Sequence, residues 1–290
     1  MIDGKYRVEA ELGCGSMGMV FRARHARLLR QYAIKFLHPR LLSDAKMRRR
    51  FALEAELAAR LAHPNVIGVV DMGELDGLSF IVMDLGTGPT LGALIEKGPF
   101  DPLRACRLTR QLCDGLAHAH ARGLIHRDLK PDNVIVESND GSEVARIADF
   151  GVAILRDSLG SCERLTASGV VVGTPHYMSP EMATAGEFDH RLDLFALGVI
   201  CYEMLTGRLP FDGGALAVMH AYANDEIPPM TARAPGVVVD PLLEAFTHRL
   251  LAKRAEDRPA DAATARDQLD QLVGVLLARP TMPLVPEGVG

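Results

Sequence analysis

The first third of the chain alternates short apolar runs with turn signals. Residues 6–12, 19–24, 32–37, 66–72 and 79–83 each read as a strand bounded by glycine, proline or polar clusters. One helical pattern interrupts them. Phe51, Glu54, Leu57, Ala58 and Leu61 recur at three- and four-residue spacing, and His63-Pro64 ends the run. After Leu85 the period changes. Leu108, Leu112, Leu116 and Ala119 stripe one helix, and residues 242–251 and 262–277 add two more. Residues 192–205 are apolar on every side and read as a helix buried all round. The pattern predicts a small strand-rich lobe followed by a larger helical one, joined near residues 83–88. The last segment, 279–290, carries three prolines and two glycines and reads as a flexible tail or linker.

Bulk properties narrow the function classes. With 48% hydrophobic and 24% charged residues, the 290-residue chain is an ordinary globular protein with ample core. A net charge of -5 gives no field that would recruit nucleic acid or an anionic membrane. The basic run Lys46, Arg48, Arg49, Arg50 is short enough to be a solvated helix face. Cys14, Cys106, Cys113, Cys162 and Cys201 are scattered without a CxxC pair, which argues against a disulfide framework or a zinc site. The N-terminus lacks a signal-peptide pattern, and 192–205 is too short for a bilayer and contains Asp193 and Glu203. A soluble, cytoplasmic chain is expected.

Four local signals carry chemistry. Leu12-Gly13-Cys14-Gly15-Ser16-Met17-Gly18-Met19-Val20 places three glycines between two strand patterns, a hairpin whose backbone can approach phosphates. A dinucleotide-binding turn would need a helix after the glycines, and a strand follows instead. Lys35 ends the apolar strand Ala33-Ile34-Lys35, where an ammonium could lie under those phosphates, and Glu54 on the following helix is the expected ion-pair partner. His126-Arg127-Asp128-Leu129-Lys130-Pro131-Asp132-Asn133 supplies a proton acceptor, a cation and a metal ligand within a few residues. Asp149-Phe150-Gly151 follows the strand Arg146-Ile147-Ala148, so Asp149 becomes a second metal ligand beside Asn133. No GxxxxGK[ST] run is present, which excludes a P-loop ATPase.

Together these motifs resemble the eukaryotic-type (Hanks-type) protein kinase superfamily over residues 6–277, most closely its bacterial serine/threonine members. Met178-Ser179-Pro180-Glu181 is similar to the family's Ala-Pro-Glu, Asp193 to its buried helical aspartate, and Arg258 to the arginine that pairs with Glu181. The resemblance implies a bilobal α+β protein kinase fold. Residues 1–277 would form the domain: 1–83 the β-rich lobe with one main helix, 84–88 the connector, 89–277 the helical lobe, with 278–290 the tail. ATP with Mg²⁺ (or Mn²⁺ in its place) would be the cofactor pair. Adenine would lie between Val20 and Ala33 above and Ile135 below, with backbone groups of Asp84 and Gly86 at its edge and Met83 guarding the inner pocket.

In the mechanism so implied, Lys35 holds the α/β-phosphates, Asp128 takes the hydroxyl proton and Lys130 steadies the γ-phosphate. Lys130 and Thr174, the latter before the substrate-binding turn, indicate serine or threonine as acceptor on protein substrates. Arg127 is a cation that an incoming anion would balance, so autophosphorylation of Thr166 and Ser168 is expected to order the loop between Asp149 and Glu181. A homodimer would allow that reaction in trans, and the chain could equally be the cytoplasmic part of a longer membrane-anchored kinase. The main rival is a pseudokinase scaffold that binds nucleotide and partners without chemistry. A small-molecule phosphotransferase is disfavoured by the long 149–181 segment and its protein-kinase ending.

Overall fold

The computed structural model describes residues 1–14, 18–38, 45–150, 175–183 and 188–278, with the side chains of 45–47, 50, 54 and 183 outside that description. The first lobe is an antiparallel sheet of β1 (Tyr6–Cys14), β2 (Gly18–His25), β3 (Gln31–Leu37), β4 (Val69–Leu75) and β5 (Leu78–Asp84). Its strand order is β1-β2-β3-β5-β4. Helix α1 (Ala45–Ala58) packs on it through Phe51 and Ala55, which meet Leu37 and Ile81. The β4–β5 turn is Asp76-Gly77 with φ of 51° and 80°, the left-handed pair that suits the twist of a tight hairpin.

The second lobe holds α2 (Leu91–Ile95), α3 (Pro102–His120), the hairpin β6 (Val134–Asn139) and β7 (Ser142–Ile147), α4 (Arg191–Thr206), α5 (Ala215–Asn224), α6 (Met230–Arg233), α7 (Pro241–Leu250) and α8 (Ala262–Ala278). Local chemistry sets several helix starts. Asp101 accepts from the backbone N–H groups of Leu103 and Arg104 at 3.0 and 3.1 Å, with Pro102 opening α3. Asp240 and Pro241 repeat the device at α7. α4 ends on Gly207 in the left-handed region, φ 66°. As its composition predicts, α4 is buried all round: of its residues only Arg191 and Glu203 are not.

The sequence pattern and the structure differ in places. The strand predicted over 66–72 forms three residues later, because Val66 instead makes an isolated parallel bridge to Ile147 of the second lobe. α1 starts before Phe51 and stops at Ala58, short of His63-Pro64. The short helices α2, α5 and α6 had no predicted counterpart. Among the described residues, no helix is long and apolar enough to cross a membrane.

Candidate active site

The centre of the site is a loop held from below by one buried carboxylate. Asp193, on the first turn of α4, is fully buried. Its oxygens accept the backbone N–H groups of His126 at 2.7 Å and Arg127 at 2.8 Å, and the Nε2–H of His120 at 2.8 Å. Those bonds hold Arg127 at φ 62°, a left-handed conformation that costs a non-glycine residue about 1–2 kcal/mol. Burial pushes the Asp193 carboxyl up, but His120, the His126 ring and the backbone donors outweigh it and hold the group below the usual carboxylate range.

His126 ties this loop to the strand that ends in Asp149. Its Nε2–H donates to the Ala148 carbonyl at 2.9 Å, which leaves Nδ1 to accept the Asp128 N–H at 3.3 Å. Phe150 is buried and meets the same imidazole edge-on, centroids 4.8 Å apart. Asn133 donates its side-chain amide to the Asp128 carbonyl at 2.9 Å and accepts the Ala148 N–H on its own backbone oxygen at 2.8 Å. Lys130 Nζ lies 3.5 Å from Asp128 Oδ2. Asp128, Lys130, Asn133 and Asp149 are thereby brought together, as their order in the chain predicts.

Lys35 comes from the opposite lobe. It sits in the middle of the sheet, in register with Val20 on one side and Ile81 on the other, and is buried. Its ammonium bonds Asp149 Oδ1 at 2.8 Å across the gap between the lobes. Burial pushes the Asp149 carboxyl up, but Lys35, with His126 and Lys130 beyond it, holds it net below its ordinary value. Asp149 is also in the left-handed region, φ 57°. The side chain of Glu54, the expected Lys35 partner, lies outside the described residues; among those described, Asp149 is a partner of Lys35.

The donor set fits a hard divalent cation. Asp149 offers a carboxylate, and Asn133, whose amide nitrogen is engaged, offers its carboxamide oxygen. Among the described residues no group of three or more His, Cys, Asp or Glu side chains could cage a metal alone. Two protein oxygens completed by phosphates and water is the arrangement magnesium favours.

The expected nucleotide pocket is only partly described. Gly13 and Cys14 face Val20 and Met19 across the β1–β2 ladder. Gly18 leaves no room for a side chain, since a Cβ there would stand 1.9 Å from the Phe36 carbonyl oxygen. Gly15, Ser16 and Met17 lie outside the described residues, as do Thr166, Ser168 and Thr174. Leu12 is half exposed. Ala33 pairs with Met83 in register, and Met83 lines a small inner pocket with Lys35, Ala55, Ile67, Asp149 and Phe150. Gly86 lies directly on Ile135. The Asp84 N–H is already bonded to the Gly68 carbonyl at 2.9 Å, so of the backbone groups of Asp84 it is the carbonyl that can meet adenine, beside those of Gly86.

Two features near the loop went unread in the sequence. A cavity of about 730 Å³ opens beside Pro131 and Asp132, lined also by Glu96, Tyr177, Glu203 and Arg208. Tyr177 donates its hydroxyl to Glu203 at 2.7 Å, a pairing across 26 residues that no local pattern announces. The expected Glu181–Arg258 pair is present and bidentate, at 2.6 and 2.8 Å, with the arginine fully buried. Arg127 stacks over Phe188, its guanidinium carbon 5.2 Å from the ring centre.

Comparison with known proteins agrees with this geometry. The family described as "Protein kinase domain" matches residues 6–269. The serine/threonine-protein kinase pkn3 of Myxococcus xanthus is 42% identical over 269 residues, which cover 91% of this chain and 49% of that protein. The serine/threonine-protein kinase pkn2 of the same organism is 40% identical over 93% of this chain and 32% of its own length. The chain therefore spans a third to a half of these curated relatives. The crystal structure of the Mycobacterium tuberculosis PknI kinase domain superposes with a TM-score of 0.70 at 28% identity, covering 92% of this chain and 96% of that one. Two lobes meeting at a Lys35–Asp149 pair, over a loop pinned by Asp193, and a family match across nearly the whole chain lead to one conclusion: this chain belongs to the protein kinase family.

Proposed function

We propose that this chain transfers the γ-phosphate of ATP to serine and threonine hydroxyls of protein substrates, its own chain included. The observation that carries the reading is the Lys35–Asp149 pair at 2.8 Å, directly beside the Asp128–Lys130–Asn133 cluster. A scaffold without chemistry has no need to keep all of these groups, and nothing in their geometry favours that alternative.

Phosphoryl transfer asks a protein mainly for positioning and charge neutralisation. Lys35 would hold the α- and β-phosphates, its position fixed by strands on both sides. Asp149 and Asn133 would hold Mg²⁺, which neutralises charge on the phosphate oxygens when bound. Asp128 would orient the acceptor hydroxyl and take its proton, since its carboxylate is set by the His126 and Asn133 bonds to its own backbone. Lys130 would face the charge that spreads over the transferring group. The relatives being serine/threonine-protein kinases, and Lys130 two residues after Asp128, support that acceptor type. Autophosphorylation in trans at Thr166 and Ser168, within a cytoplasmic enzyme or cytoplasmic domain, completes the reading.

Incubation with γ-labelled ATP and Mg²⁺, followed by acid hydrolysis and phosphoamino-acid analysis, tests it. Label on phosphoserine and phosphothreonine is expected. Label on phosphotyrosine alone, or none on any protein, contradicts the proposal.

A further inference from the structure

The connector between the lobes recognises a base, on the reading above, through backbone atoms, so its competence depends on what fixes its backbone. Its far end is fixed by close packing: a Cβ on Gly88 would stand 1.8 Å from the Val136 carbonyl oxygen, and the Val136 N–H bonds the Pro89 carbonyl at 2.9 Å. Residues 84–87 have the Asp84 N–H bond to the Gly68 carbonyl at 2.9 Å and the close contact of Gly86 with the Ile135 side chain.

Charged side chains add to that hold. Arg146 stands on β7 in register with Ile135, the expected floor of the base pocket. One of its guanidinium nitrogens, Nη2, donates to the Val66 carbonyl at 3.1 Å and to Asp84 Oδ2 at 3.2 Å. The other, Nη1, lies 3.9 Å from Glu137 Oε1. That same Glu137 oxygen accepts the Thr87 N–H at 3.0 Å. Arg146 thus spans both ends of 84–87, one directly and one through Glu137. Arg30 also reaches Asp84, at 2.9 Å, but its side chain is 64% exposed against 17% for Arg146. An exposed pair contributes little, whereas a half-buried pair is screened far less.

We propose that Arg146 is a positioning residue for nucleotide binding: from the helical lobe it clamps the connector through Asp84 and Glu137, so that the Asp84 carbonyl and Gly86 are presented to the base already in place. The inference rests on the nucleotide-binding reading above. Without the clamp the connector must be ordered when the ligand arrives, and that cost falls on affinity for the base end of the ligand. A hydrogen bond to a charged group is worth enough that its loss corresponds to about tenfold in affinity.

The test compares wild type with Arg146→Met, which keeps the aliphatic stem, Asp84→Asn, the double variant and Arg146→Lys. KM and equilibrium Kd for ATP are measured, with Mg²⁺ tripolyphosphate as a competitor that has no base. Arg146→Met is expected to raise KM and Kd for ATP about tenfold, leave kcat at saturating ATP within about twofold, and leave tripolyphosphate inhibition unchanged. Asp84→Asn should act in the same direction, the double variant should be no worse than Arg146→Met, and Arg146→Lys should recover part of the affinity. Unchanged ATP affinity overturns the proposal, as does a parallel loss for tripolyphosphate, which a general structural role would produce. Wild type that binds no ATP refutes the nucleotide-binding reading itself. If wild type binds ATP without transferring phosphate, the Kd values still decide the role of Arg146.

Discussion

Asp193→Asn strikes the buried group on which the catalytic loop rests. The carboxylate accepts three donors, from His126, Arg127 and His120, at 2.7 to 2.8 Å. Asparagine keeps one acceptor oxygen and must turn its NH₂ toward a backbone N–H that had been satisfied. One charge-assisted bond, worth about 1.5–3 kcal/mol, is lost, and a buried donor goes unmet at about 1–3 kcal/mol. Relaxing the left-handed Arg127 returns about 1–2 kcal/mol, so the net loss of stability should be about 3 kcal/mol. For a chain of this size that lowers Tm by about 6–10 °C. The relaxation also moves Asp128, the next residue, and a displacement near 1 Å can cost about a hundredfold in kcat. The pH dependence has a definite sign. The folded carboxyl titrates below its unfolded value, so its contribution is complete above about pH 4 and disappears as pH falls through the folded pKa. The gap in stability between wild type and Asp193→Asn should therefore be constant near neutrality and close below about pH 4. Thermal melts across pH with kcat measured alongside provide the check. A Tm within about 2 °C of wild type together with an unchanged kcat would refute the reasoning.

Three further outcomes follow from the geometry. Arg258→Met strands the Glu181 carboxylate in a half-buried site and should cost about 3–5 kcal/mol in denaturant unfolding, with part of the loss recovered by adding Glu181→Gln. Gly88→Ala drives a methyl into the Val136 carbonyl, a clash with backbone that no rotamer relieves, so it should lower stability and ATP affinity together, measured by melting and by equilibrium binding. Iodoacetamide at pH 8 should label the exposed Cys14 and spare Cys106, Cys113 and Cys201, since burial pushes Cys106 up to about 12 and raises the other two; peptide mass mapping reads this directly.

Much of the site was legible because its groups arrive in short runs. Asp128, Lys130 and Asn133 fall within one loop, and Asp149 ends the next hairpin, so order along the chain nearly dictates their meeting. Partners set by long-range packing were harder to read. Lys35 meets Asp149 across 114 residues, a pairing that no local pattern announces. Asp193 showed as a charge inside an apolar helix and resembles the family's buried aspartate, but its triple acceptor role depends on where α3 and the loop cross α4. Arg146 gave the same kind of signal, a cation beside Ile147 and Ala148 near the end of a strand, which could have prompted a search for buried partners. Helix α2, at five residues, is too short for a period to register. β4 slipped because Val66 is apolar for a bridge to the other lobe, and a hydrophobic run does not declare which sheet it serves.

The central claim is that Asp128 is the group that accepts the hydroxyl proton. Single-turnover transfer of labelled γ-phosphate by Asp128→Asn, with ATP affinity measured on the same sample, tests it most directly. ATP binding within about twofold of wild type and a transfer rate reduced by about a hundredfold or more are expected, general base catalysis being worth about 10²–10⁴. Transfer at the wild-type rate by the variant would contradict the claim.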